Sequence, residues 1–272
     1  MDKKNSDSID HWINIGAGTT SGIASNIFSS MNPTIEGAII GGTLGALVEG
    51  TFVRIGNEMK NRLLSKREEK RIGSAFVFLL EKVDENLKNG NHYRKDDFFR
   101  ETEGDYNYNA EILEGVLITI QKSYEEKKVK FISYFYANII FETRWDRLHA
   151  NHFLRLAEEM SYRQFCLLAI YYHKEKFGLN KEPVKNHRIV RYDTMADIHS
   201  LKEKALFKLI IPMTHGSGFV YQLPPENASI SDYGKAFYDL FDLAKISKED
   251  IFEVAEHLIP LEKIKEMREE ET

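Results

Sequence analysis

Charge is almost absent from Trp12 to Val48, where only Glu36 interrupts, and beyond Arg54 the chain becomes dense in charges set among periodic apolar residues. Asn32-Pro33 predicts a helix start, because Asn caps and Pro is harmless in a first turn. Helical character then runs on through Arg71. In Ser74–Leu87 the residues Phe76, Leu79, Leu80, Val83 and Leu87 fall at helical spacing, which predicts a core-facing helix ended by Asn89-Gly90-Asn91. Asp96–Tyr108 is acidic, aromatic and turn-rich and reads as a loop. Asn109–Glu125 carries Ile112, Val116, Leu117 and Ile120 on one side. Lys127–Glu142, Ala150–Glu159 and a Ser161-capped helix to about His173 complete a helical middle.

The last third has another rhythm. Glu182–Arg191 is a polar loop with Pro183, and Thr194 is placed to cap a helix reaching about Ala205. Leu206–Met213, the turn Thr214–Gly218 and Phe219–Leu223 predict a β-hairpin. Ser229–Leu243 and Ser247–Leu258 predict two more helices, and the charged tail Lys263–Thr272 is expected to fray. The expected fold is mainly α. It comprises Gly-rich N-terminal helices (1–90), a helical bundle (91–160), a winged-helix-like unit with a small β-hairpin (161–262) and the tail (263–272).

Glycine spacing sets the first segment apart. Gly37, Gly41 and Gly45 recur every four residues, and Gly18 and Gly22 repeat the interval. Four residues is close to a helical turn, so these glycines form a groove that admits another backbone. Each costs a helix about 0.5–1 kcal/mol relative to Ala, so a close contact must offset them. A membrane span needs about 20 mostly apolar residues. Gly37–Val48 offers twelve, roughly 18 Å of helix, and Trp12–Ile35 is too polar to enter lipid cheaply alone. Three readings stand: a buried helical hairpin, an oligomerising or membrane-active segment, and a phosphate loop. Gly16-Ala17-Gly18 matches only half of the phosphate-loop fingerprint.

Composition narrows the field. The 272-residue chain has a net charge of -5, with 37 Lys and Arg against 42 Asp and Glu. That argues against a nucleic-acid coat, which would be basic. One cysteine, Cys166, excludes an internal disulfide framework and a cysteine zinc site, and a reducing cytoplasm is the expected compartment. Directly after the glycine stretch, Lys60, Arg62, Lys66, Arg67, Lys70 and Arg71 form a basic run. It reads as a solvated helix face or as a cluster facing anionic lipid, where each cation is worth about 1 kcal/mol.

No catalytic set assembles. His149 and His152 could share a helical face near Asp146, but a metal site needs further ligands. His215-Gly216-Ser217-Gly218 reads as a hairpin turn, Cys166 as a buried thiol, and Asp96, Asp97, Glu101, Glu103 and Asp105 as a solvated loop. No catalytic residue, metal or cofactor is expected. The helix ahead of the hairpin carries Asp197, Lys202, Glu203 and Lys204, and Lys185, Arg188 and Arg191 precede it. This is a poor phosphate-neutralising surface, so nucleic acid is not an expected partner.

The stretch KFISYFYANIIFE followed by LHANHFLRLAEEMSYRQFCLLAIYY resembles bacterial and prophage proteins of the abortive-infection alpha group, over about residues 110–175. The resemblance implies a phage-defence or cell-arrest role and transfers no catalytic residue. The expectation is a non-enzymatic effector, a homo-oligomer in the cytoplasm or at an anionic inner membrane. It acts by assembly or membrane disruption through Gly18, Gly22, Gly37, Gly41 and Gly45. A soluble winged-helix adaptor or DNA-binding regulator, docking a protein partner through that unit, is the alternative.

Overall fold

The computed structural model describes residues 50–52, 54–55, 58–59, 62, 64–100, 107–179, 192–209 and 227–270. The described chain is mainly helical with one small antiparallel sheet, and it divides into two compact units, up to residue 159 and from residue 160. No helix among the described residues is long and apolar enough to cross a membrane.

In the first unit, α1 spans Lys66–Lys88. The expected helical run through Arg71 is interrupted: Arg62 sits in a bend and α1 starts afresh at Ser65. The cause is a capping box. The Ser65 hydroxyl accepts from the Glu68 N–H at 3.3 Å and the Glu68 carboxylate accepts from the Ser65 N–H at 2.7 Å, which satisfies two otherwise orphaned donors. At the far end Asn89 caps, and Gly90 takes the left-handed φ of +80° that glycine adopts freely. Residues 71–80 are all buried, so α1 is enclosed on every side through its middle.

Next come a 3-10 turn, Asp97–Phe99, and three helices: α2 (Tyr108–Lys122), α3 (Glu126–Ile139) and α4 (Arg147–Glu159). The stretch read as loop thus hides two core residues, Phe98 and Phe99, and the Asp96 carboxylate caps the turn. Asn107 caps α2 through the Ala110 N–H at 2.8 Å. α1 is tied to α3 by the buried Asn86, whose amide donates to the Ala137 carbonyl at 3.0 Å and to the Asn138 side chain at 2.9 Å. α4 is tied to α2 by Arg147 and Asn151, which both reach Glu111. Residues on both sides of position 90 belong to this one unit.

The second unit opens with α5 (Tyr162–Tyr172), whose capping box pairs Ser161 with Gln164. α6 (Tyr192–Glu203) starts two residues ahead of Thr194, which is fully buried inside it and is not its cap. β1 (Phe207–Leu209) pairs antiparallel with β2 (Ala228–Ile230), Phe207 opposite Ile230 and Lys208 opposite Ser229. The strand expected at Phe219–Leu223 lies outside the described residues. β2 instead takes Ser229, read as a helix start, because the true cap is Ser231: its hydroxyl accepts from the Gly234 N–H at 2.9 Å. α7 (Asp232–Leu240) therefore begins later. At Gly234 a Cβ would stand 2.2 Å from the Leu206 carbonyl oxygen, so only glycine lets this helix sit against the strand.

α8 (Lys248–Ala255) is capped by Ser247 as expected. The tail is not frayed: α9 (Leu261–Glu270) is a helix that buries Ile264 and Met267, and its Lys263 ammonium donates to the Phe177 carbonyl at 2.9 Å. Two buried apolar side chains and one hydrogen bond hold it despite the high charge of its exposed side. At the centre of the unit Phe165, Phe237 and Phe241 pack together, the last two stacked at 4.0 Å.

Candidate functional site at the root of the glycine-rich segment

The residues that follow the glycine stretch enter the core of the first unit at once. Thr51, Phe52, Ile55 and Met59 lie on helical turns at spacings that share one face, and Phe52, Ile55 and Met59 are fully buried. The Phe52 ring meets Phe76 of α1 edge-on at 6.3 Å and Tyr136 of α3 at 5.7 Å. Fully burying one such side chain is worth about 1.5–3 kcal/mol, so this root is a firm anchor. The sequence reading passed over it, since four residues between a glycine pattern and a charge run give little periodic signal.

A buried polar chain completes the anchor. The Asn109 amide donates to the Thr51 hydroxyl at 3.0 Å, and the Asn109 carbonyl oxygen accepts from the Tyr136 hydroxyl. Burial holds the Tyr136 phenol well above its ordinary pKa, and it pushes the Tyr93 phenol beside it up to about 12. Both stay neutral at physiological pH, and Tyr136 stays a donor. Asn109 thus joins Thr51 and Tyr136 in one buried polar chain inside the unit.

The basic run is divided by the cap of α1. Lys60 lies outside the described residues. Arg62 pairs with Glu114 of α2, and Arg67 pairs with Glu126 of α3 at 2.9 Å. Arg71 is buried and donates to the Ser123 carbonyl in the α2–α3 turn. Lys66 is exposed and Lys70 half-buried. Arg67 and Arg71 therefore brace α1 against its neighbours, and Arg62 ties the chain ahead of the cap to α2. Glu68 sits among them, and its carboxyl is lowered to about 2, first by the Ser65 hydroxyl and N–H and then by the Gln121 amide. Its folded value is depressed, so its contribution is complete above the ordinary 4.5 and is lost as pH falls through about 2. A carboxyl-carbon NMR titration is expected to give a midpoint near 2, and Glu68→Gln, which keeps the reach to Ser65, is expected to abolish that part of the acid sensitivity. A Glu68 midpoint above 4 would remove the capping box as its cause.

Gly18, Gly22, Gly37, Gly41 and Gly45 lie outside the described residues, as do His215–Gly218 and Lys185, Arg188 and Arg191. The other residues singled out have local roles. The His149 ring nitrogen lies 2.8 Å from the Asp146 carboxylate and His152 neighbours Arg155, without a shared metal site. Among the described residues no group of three or more His, Cys, Asp or Glu side chains could hold a metal ion. Cys166 is buried. Near it the Tyr162 hydroxyl donates to Asp250 at 2.8 Å, and burial raises that phenol's pKa. Asp193 and Asp197 of α6 both accept from Arg163, and Asp197 also accepts from Gln164 at 2.9 Å. Comparison with known proteins finds no matching family model, curated protein or solved structure.

Proposed function

We propose that the protein is a non-enzymatic effector whose glycine-rich N-terminal segment assembles with other copies or enters an anionic membrane, rooted in its first unit by Thr51, Phe52, Ile55 and Met59. The observation that carries this reading is the abrupt change at Gly50: 37 positions from Trp12 to Val48 hold a single charge, and the next residues are nailed into a core. A segment that must move while its protein stays folded needs such a fixed root. The resemblance at residues 110–175 supplies the setting, an abortive-infection-like response in the cytoplasm or at the inner membrane. With Arg62, Arg67 and Arg71 engaged inside the unit, Lys66 and Lys70 are the described cations left to face lipid.

The full chain is compared with its Gly41→Leu/Gly45→Leu variant for sedimentation mass and for leakage of vesicles rich in anionic lipid. Leucine fills the groove, so assembly and leakage are expected to fall by about tenfold or more, equivalent to about 1.4 kcal/mol of lost contact. A chain lacking residues 1–49 is the control, since a cut beyond Gly50 would remove Phe52 and Ile55 from the core. Unchanged assembly and leakage in the double variant would refute the glycine packing.

The second reading is a winged-helix-like adaptor in residues 161–262. What supports it is the β1–β2 pair flanked by α6 and α7. The carboxylates of α6 around Arg163 favour a protein partner over DNA. DNA binding with a steep salt dependence would instead favour the regulator.

A further inference from the structure

α1 has a second face, turned away from α3. Phe78, Lys82 and Asn86 turn to α3, where Phe78 and Lys82 meet Tyr134 and Asn86 meets Ala137. At 100° per residue, Gly73, Val77, Leu80 and Asp84 lie on the opposite side of the helix. A side facing away from its bundle partner should be solvated. Here Gly73 is buried, Val77 and Leu80 are 2% and 0% exposed, and Asp84 is 8% exposed. One Asp84 oxygen pairs with Lys88 at 2.6 Å, while the other, Oδ1, is buried without a hydrogen-bond partner. That oxygen lacks a donor, and Gly73 has no side chain to keep a neighbouring backbone away.

We propose that this Gly73–Val77–Leu80–Asp84 stripe is the resting dock of the chain's own glycine-rich segment, residues 12–48. The chemistry matches on three counts. The segment carries a single carboxylate, Glu36, so nearly all of its length can approach Asp84 without repulsion. It is rich in Ser, Thr and Asn, whose hydroxyl and amide groups are the donors Oδ1 lacks. Its glycines every four residues form the complement of the Gly73 groove. The connection is short as well, because Phe52 is seated on Phe76, one turn from Leu80 on the same helix. Docking hides the segment until a trigger frees it. This arrangement rests on the effector reading for its purpose, though not for its geometry.

The test is hydrogen exchange on the full chain, read by mass spectrometry at two protein concentrations, with Gly73→Leu alongside. In the parent, amides of residues 12–48 are expected to be protected equally at both concentrations. Gly73→Leu is expected to lower that protection by about tenfold or more while α2 and α3 keep theirs. Leucine is a better helix former than glycine, so with nothing docked the variant would simply be more stable. Gly73→Ser, a smaller intrusion, serves if the leucine variant fails to fold. Unprotected residues 12–48 in the parent, protection that grows with concentration, or protection indifferent to both substitutions would overturn the dock. Vesicle leakage on the same samples separates the two ideas. Protection lost in Gly73→Leu with neither leakage nor assembly on sedimentation in any sample leaves the dock standing and removes the effector. Leakage without resting protection does the reverse.

Discussion

Phe52→Ala is expected to destabilise the first unit by about 3–5 kcal/mol, the usual range for removing a fully buried aromatic ring. The ring has no exposed surface and bridges α1 and α3 through Phe76 and Tyr136. Its loss leaves a cavity where two helices meet, and the flanking rings lose an edge-on partner worth about 0.5–1.5 kcal/mol beyond area. The reporter is Trp145, which packs edge-on to Phe153 at 5.2 Å in the same unit. With Trp12→Phe as background, Trp145 is the single tryptophan. At about 1–3 kcal/mol per molar of urea, the midpoint is expected to fall by at least about 1 M. The second unit has its own core, so a probe there should not move. A shift below about 0.5 M would mean that the root is a surface strap and not an anchor.

That anchor also shows what the sequence could and could not disclose. Helices α2, α3, α4 and α5 were legible because Ile112, Val116, Leu117 and Ile120, and their counterparts, repeat at helical spacing, with Asn107 and Ser161 as caps for α2 and α5. The Ser161 cap was read at its true position, whereas the cap at Ser65 was masked by the charges around it and by a helical run that appeared continuous. Two serines two residues apart, Ser229 and Ser231, are alike as caps in sequence. The choice between them was made by Gly234, where strand and helix approach too closely for a Cβ. The tail deceived by composition: Ile264 and Met267 are two apolar residues among many charges, but three apart they suffice to seat a helix. The partners of Arg62 and Arg67 lie more than fifty residues away, at Glu114 and Glu126. No local pattern reveals such pairs, and so a run read as one cluster is in fact shared between bracing and exposure.

Arg94→Ala is expected to cost about 1–3 kcal/mol, the range for removing the donor that buried acceptors rely on. Arg94 is 3% exposed and holds together three parts of the first unit. Its guanidinium forks onto Asp96, with Nε donating at 2.8 Å. Nη1 donates to the Trp145 carbonyl at 3.0 Å and to the Ile139 carbonyl at 3.3 Å, and the plane covers the Phe98 ring at 4.3 Å. Alanine removes one donor each from the Ile139 and Trp145 carbonyls and the donor pair on the Asp96 carboxylate at the exit of α3. Arg94→Lys keeps the charge but offers a point donor in place of a planar fork, so it should recover less than half of the loss. The pH dependence identifies the pair. Arg94 is the main cause of the lowered Asp96 pKa, so this contribution is present above the ordinary aspartate value and is lost as pH falls through the folded one. Urea midpoints of the parent and Arg94→Ala should therefore lie far apart at pH 7 and draw together in acid. A gap that stays constant from pH 7 down to pH 3 would show that Arg94 acts through its carbonyl and ring contacts and owes nothing to Asp96.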